Sequence, residues 1–195
     1  MQIMADTAKG ISVACANNRA YVRIAGRGTF QNSQPLYRYS REMTDRGCAE
    51  FVVDLTACQG MDSTFLGVLA GIGLRLRQNG RAGMMHLVNI SPHNLELLQT
   101  LGLDQLFDLR PCVSELAAFD FPDETMFQIL PQTDLSHLAH PPDKDQMATL
   151  MLEAHDNLAA ADQRNQPRFR DLTEFLRERI EQRRADEKGE PPKQP

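Results

Sequence analysis

Phe51-Val52-Val53-Asp54-Leu55 is a nearly continuous apolar run, and after a loop carrying Gly60 it gives way to Phe65-Leu66-Gly67-Val68-Leu69, whose apolar residues follow helical spacing. The first run reads as a strand buried on both faces and the second as the helix that covers it. This pairing directs the chain toward a sheet layered with helices. It also sets Asp62-Ser63-Thr64 at the joint, with Ser63 near the N-cap. Free backbone N–H groups and the positive end of the macrodipole gather at a helix start, so a phosphoryl group on Ser63 would be held by its local backbone.

The flanking segments extend the pattern. Ile11-Ser12-Val13-Ala14 and Tyr21-Val22-Arg23-Ile24 flank the turn-favouring pair Asn17-Asn18 and read as a hairpin. Asn32 or Ser33 caps the next helix, with Pro35 in its first turn and Leu36, Tyr39 and Met43 at helical spacing as far as Gly47. Met84-Met85-His86-Leu87-Val88 is a further strand, and Ser91-Pro92 opens a helix through about Leu101. Strand, helix, strand, helix implies parallel pairing. Phe107 to Leu109 adds a short edge strand, and Val113 to Phe119 a last helix. Gly67, Gly71 and Gly73 each cost about 1 kcal/mol against alanine in a helix interior, which implies close approach by the sheet or another backbone.

The chain then changes character. Pro122, Pro131, Pro141 and Pro142 interrupt or flank Met126-Phe127-Gln128-Ile129-Leu130, which reads either as a strand-like patch in a linker or as a segment packed back on the domain. Met147, Leu150, Met151, Ala154, Leu158 and Ala161, and beyond Pro167 the residues Phe169, Leu172, Leu176 and Ile180, give two amphipathic helices in a hairpin. Their apolar stripes must pack on each other, on the core domain or on another protein.

The segment Phe51 to Gly73, with Met61-Asp62-Ser63-Thr64 at the joint, resembles the STAS domain of bacterial anti-sigma-factor antagonists. So does Ile90-Ser91-Pro92 followed by Leu97-Leu98-Gln99-Thr100-Leu101-Gly102-Leu103. The resemblance implies an α/β fold, a STAS-like mixed β-sheet of four to five strands covered by helices, to which this chain adds a C-terminal helical hairpin. The expected division is a domain over 1–118, a linker over 119–142, the hairpin over 143–184 and a disordered tail over 185–195. It further implies a phosphorylation site at Ser63, with Thr64 the neighbouring alternative, and a partner-binding surface of Arg27, Thr29, Asp62, Ser63, Thr64 and Phe65.

The implied partner is a serine protein kinase that is itself the anti-sigma factor, and a separate phosphatase would reset the switch. ATP would belong to the kinase, so the chain itself needs no cofactor. Two residues depart from the family's habit. Phe65 stands where glycine is usual, adding bulk expected close to the phosphate, and Arg27 stands on a loop where an acidic residue is common. The alternative is a non-phosphorylated STAS scaffold or a module sensing an anion or small molecule at the same helix start. Self-association through the C-terminal helices is a further expectation.

Charge and special residues exclude other classes. Asp and Glu outnumber Lys and Arg by 26 to 21, giving a net charge of −5, and no apolar run approaches the ~20 residues of a membrane span. Nucleic-acid contact and membrane insertion are therefore not expected. Cys15, Cys48, Cys58 and Cys112 form no C-x-x-C pair and read as small buried hydrophobes in a reduced cytoplasmic setting. His137, His140 and His155 read as solvated loop histidines rather than metal ligands. Ser63 lacks a G-x-S-x-G elbow, and the sequence places no histidine or acid beside it, so binding rather than catalysis is expected.

Overall fold

Asn17 and Asn18 both adopt positive φ, 51° and 60°, the geometry that a two-residue hairpin turn demands and that asparagine tolerates. They join β1 (Gly10–Ala16) to β2 (Arg19–Gly28) in antiparallel register, Cys15 opposite Ala20 and Ile11 opposite Ile24. The computed structural model describes residues 9–78, 84–111, 119–131 and 144–187.

From β2 the sheet grows by parallel pairing. β3 (Glu50–Asp54) runs beside the first half of β2, β5 (Met84–Val88) beside β3, and β6 (Asp108–Arg110) beside β5. β4 (Cys58–Met61) pairs with the last residues of β2, Gly26 to Gly28, and β7 (Gln128–Ile129) pairs antiparallel with β1. The order is β6-β5-β3-β2-β1-β7, with β4 beside β2. The expected four to five strands become seven: β4, of four residues, is too short to show periodicity, and β7 is the strand-like patch, packed back on the domain.

One face of the sheet carries Ile11, Val22, Ile24, Phe51, Val53 and Leu87. It is covered by α1 (Phe30–Asp45) and α2 (Ser63–Gln78), which add Leu36, Met43, Phe65, Val68, Leu69 and Ile72 to the same core. α1 begins earlier than expected. Thr29 occupies the N-cap position and Asn32, three residues on, accepts the Thr29 N–H through Oδ1 at 2.8 Å, so neither Asn32 nor Ser33 is the cap itself. α3 (Pro92–Thr100) starts as expected, with Ser91 Oγ accepting the Asn94 N–H at 3.2 Å.

The opposite face carries Tyr21, Val52 and Val88 among charged neighbours, and residues from Phe119 to Leu130 lie across it. Phe119, Phe121 and Phe127 seat their rings near arginines of the sheet; the Arg23 guanidinium is 3.9 Å from the Phe127 centroid. His86 is held between Glu50, at 3.1 Å, and Asp108, at 2.7 Å, with the Phe119 ring against it. The helix expected over Val113 to Phe119 falls, except for Phe119, outside the described residues, as do Cys112, His137 and His140.

The C-terminal hairpin is present as α4 (Lys144–Ala161) and α5 (Asn165–Glu187). Its apolar stripe packs on the core of its own chain, where Leu150, Ala154 and Leu158 join the main cluster. Burial of leucine-sized side chains contributes roughly 1.5–3 kcal/mol each. Asn165 Nδ2 donates at 2.9 Å to the carbonyls of Leu101 and Leu158, fastening the turn of the hairpin to the end of α3.

Candidate functional site

The junctions β2–α1 and β4–α2 lie side by side because β4 pairs with the last three residues of β2. Asp62 joins them. Its N–H donates to the Gly28 carbonyl at 2.9 Å, its Oδ2 accepts the Phe30 N–H at 2.8 Å, and its Oδ1 accepts the Phe65 N–H at 2.8 Å. One carboxylate thus satisfies free donors at the starts of both α1 and α2, where negative charge also suits the two macrodipoles. Asp62, not Ser63, is the N-cap of α2, and Ser63 is its first helical residue.

Relieved of capping, the Ser63 hydroxyl points to the C-terminal hairpin, where Oγ lies 3.0 Å from Nε2 of His155. The other ring nitrogen, Nδ1, lies 2.7 Å from the Met151 carbonyl. A carbonyl only accepts, so Nδ1 carries a proton, and in the singly protonated ring Nε2 is then an acceptor for the Ser63 O–H. His155 is 1% exposed, with the Phe169 ring 5.0 Å away. The expectation of a solvated loop histidine is therefore wrong for this residue. His155 sits on a helix that no local signal places against residue 63, and the one available clue was its position on the apolar side of the α4 stripe.

Ser63, Gly67 and Gly71 recur at every fourth residue and form one row on α2, and α4 is seated along it. A Cβ at Gly67 would lie 2.2 Å from the Ala154 carbonyl oxygen, and one at Gly71 would lie 2.4 Å from Asn157 Nδ2. The backbone approach expected of these glycines is found at Gly67, against α4, whereas Gly71 makes room for the Asn157 side chain and Gly73 for those of Leu106 and Phe107.

The remaining candidate residues fall on both sides of the joint. Thr64 is 4% exposed and Phe65 fully buried, while Ser63 is half-buried. Phe65 does not crowd the position of a phosphate: its ring turns inward over Gly28, where a Cβ would stand 2.6 Å from the ring. Arg27 is exposed, and its guanidinium lies near Gly60 together with the His93 ring. Thr29 is half-buried at the start of α1, beside the exposed Phe30.

A serine hydroxyl bonded to a histidine is the beginning of a nucleophilic apparatus. Here the imidazole is enclosed beneath α4 and its second nitrogen is held by a backbone carbonyl rather than a carboxylate, so the pair fastens two helices. Among the described residues no group of three or more His, Cys, Asp or Glu side chains could hold a metal, and no helix is long and apolar enough to cross a membrane. Of the cysteines, Cys48 and Cys58 are buried as expected, but Cys15 is exposed, its Sγ 3.7 Å from that of Cys48.

No curated protein matches the chain. Among solved structures, an anti-sigma factor antagonist from Mycobacterium paratuberculosis is similar at 22% identity and a TM-score of 0.48, over 55% of this chain and 91% of that one. The Bacillus cell fate determinant SpoIIAA in its phosphorylated form is similar at 17% identity and 0.46, over 56% and 97%. The unphosphorylated form of SpoIIAA, an anti-sigma factor antagonist, gives 16% and 0.47, over 56% and 94%. The family model described as "Mlab, STAS domain" matches residues 11–111, more than half of the sequence, and the chain therefore belongs to the STAS-domain family.

Proposed function

We propose that this chain is a partner-switching protein of the anti-sigma-factor antagonist type, with Ser63 as its switch residue. It would bind a serine kinase that doubles as an anti-sigma factor, free that kinase's client, and lose the contact when Ser63 is phosphorylated. In that step Ser63 Oγ forms a bond to the γ-phosphorus of kinase-bound ATP, ADP leaves, and the hydroxyl proton passes to the kinase or to water.

The observation that supports this reading is the position of Ser63 in a STAS-family chain. It is the first residue of α2, half-buried and next to Asp62 at the joint, beside the exposed Arg27 near the end of β2 and the exposed Phe30 at the start of α1. Thr64, turned inward, is the poorer acceptor of a phosphate. The partner-facing surface would be Arg27, Thr29, Phe30, Asp62 and Ser63, and the chain would bind without catalysing. A phosphatase would restore the hydroxyl. A sensing module would need open space at the same helix start, which His155 partly fills.

Phosphate brings about −1.5 to −2 charges. Reversing occupancy from 99% bound to 99% free takes roughly 5.5 kcal/mol, so the hydroxyl must lie within the contact rather than beside it. The test is the affinity of Ser63→Asp and Ser63→Ala for the kinase co-purified with the native protein. Loss of binding in the first with near-normal binding in the second is expected; equal affinities would refute the switch.

A further inference from the structure

A phosphate on Ser63 would break the hydrogen bond that ties this residue to the hairpin. Its Oγ lies 3.0 Å from Nε2 of His155, a buried residue of α4 with the Phe169 ring of α5 against it. A phosphate ester at this oxygen removes the donated proton and adds three strongly hydrated oxygens. Turned toward His155, the group needs room beside a ring that α4 keeps enclosed, and a second proton on that buried ring before Nε2 can donate to it. Turned toward solvent, it leaves a buried ring nitrogen with no donor. Both arrangements weaken the seating of α4.

The hairpin has little freedom to adjust in place. Along the same row the Ala154 carbonyl fills the notch at Gly67 and Asn157 fills that at Gly71, and Asn157 Nδ2 also donates to the Gly67 carbonyl at 3.4 Å. With the Ala154 backbone set into the Gly67 notch, α4 does not slide by the width of a phosphate; it stays or lifts away. We propose that the α4–α5 hairpin is a cover over the Ser63–Gly67–Gly71 face of α2, released by phosphate on Ser63. The face beneath admits the α4 backbone at Gly67 and the Asn157 side chain at Gly71. Phosphorylation would thus have a second output besides ending contact at the Arg27–Ser63 end, namely release of the hairpin from α2.

The inference rests on Ser63 being the modified residue, and the test separates the two ideas. Phosphoserine is installed at position 63 of the full chain by genetic encoding, and amide hydrogen exchange is compared with the unmodified protein. The expected result is exchange on the order of 100-fold faster across α4 and α5, with β3 and β5 unchanged. Unaltered protection of the hairpin would overturn the proposal. So would joint loss of protection in the hairpin, β3 and β5, which would make the hairpin inseparable from the fold. If native protein carries no phosphate on Ser63 under any growth condition, the switch reading falls, whereas the exchange result still decides whether the hairpin responds to charge at this position.

Discussion

At the scale of single residues the joint depends on a carboxylate with two duties. Asp62 accepts the Phe30 and Phe65 N–H groups together, so its removal leaves free donors at the starts of two helices. N-cap losses cost about 0.5–2 kcal/mol for one helix. Asp62→Ala is expected to lower unfolding stability by about 1–3 kcal/mol in a urea titration, since charge-assisted bonds are involved. A value indistinguishable from wild type would show that water replaces the carboxylate at both sites.

Cys48 offers a second residue-scale check. Burial chiefly, with the Cys15 contact next, pushes its thiol up to about 11, so at about pH 8 only about one part in a thousand is thiolate. Iodoacetamide is therefore expected to modify exposed Cys15 first, with Cys48 reacting only as the pH rises toward 11. Peptide mapping after short exposure reads the order, and equal rates at both thiols would contradict it.

Elements are joined here by what side chains leave out. Gly67 lets the α4 backbone approach α2 closely, and a valine there meets the Ala154 carbonyl well inside contact distance. Gly67→Val is expected to cost about 2–4 kcal/mol, above the ordinary helix-propensity term and of the size expected for overpacking against backbone. Its distinguishing sign is faster hydrogen exchange in α4 and α5, read residue by residue, with the sheet still protected. Gly73→Ala presses instead on the Leu106 and Phe107 side chains and should leave the hairpin seated.

Across the whole molecule, α2 is a helix with two coverings, the sheet on one side and α4 on the other. Removal of residues 144–195 would uncover the Ser63–Gly67–Gly71 row and the apolar surface that Leu150 and Leu158 now shield. Because the α4 stripe is spent on its own chain, the truncated protein is expected to gain mass in light scattering by self-association. A shift from dimer to monomer on truncation would instead assign the hairpin to an interface between copies.

The apolar run of β3, the Asn17-Asn18 turn, the Ser91-Pro92 start and the α4 and α5 stripes were legible in the sequence because each is a local preference, set by residue type and spacing within about a dozen residues. The same preferences set Ser63 near the cap of α2 but could not say which residue is the cap. Asp62 and Ser63 are both good capping residues, and the choice fell to Asp62 because β2 and β4 bring the Phe30 N–H to its second oxygen. Phe65 and Gly28 fit each other across 37 positions of sequence, and Ser63 and His155 are 92 apart. A propensity cannot carry such pairings. The sequence by itself determined a helix-covered sheet with a serine at a helix start and an amphipathic hairpin after it. Only the tertiary structure decided that the hairpin lies on that helix and holds that serine, because a stripe shows that a surface must be buried and only packing selects against what.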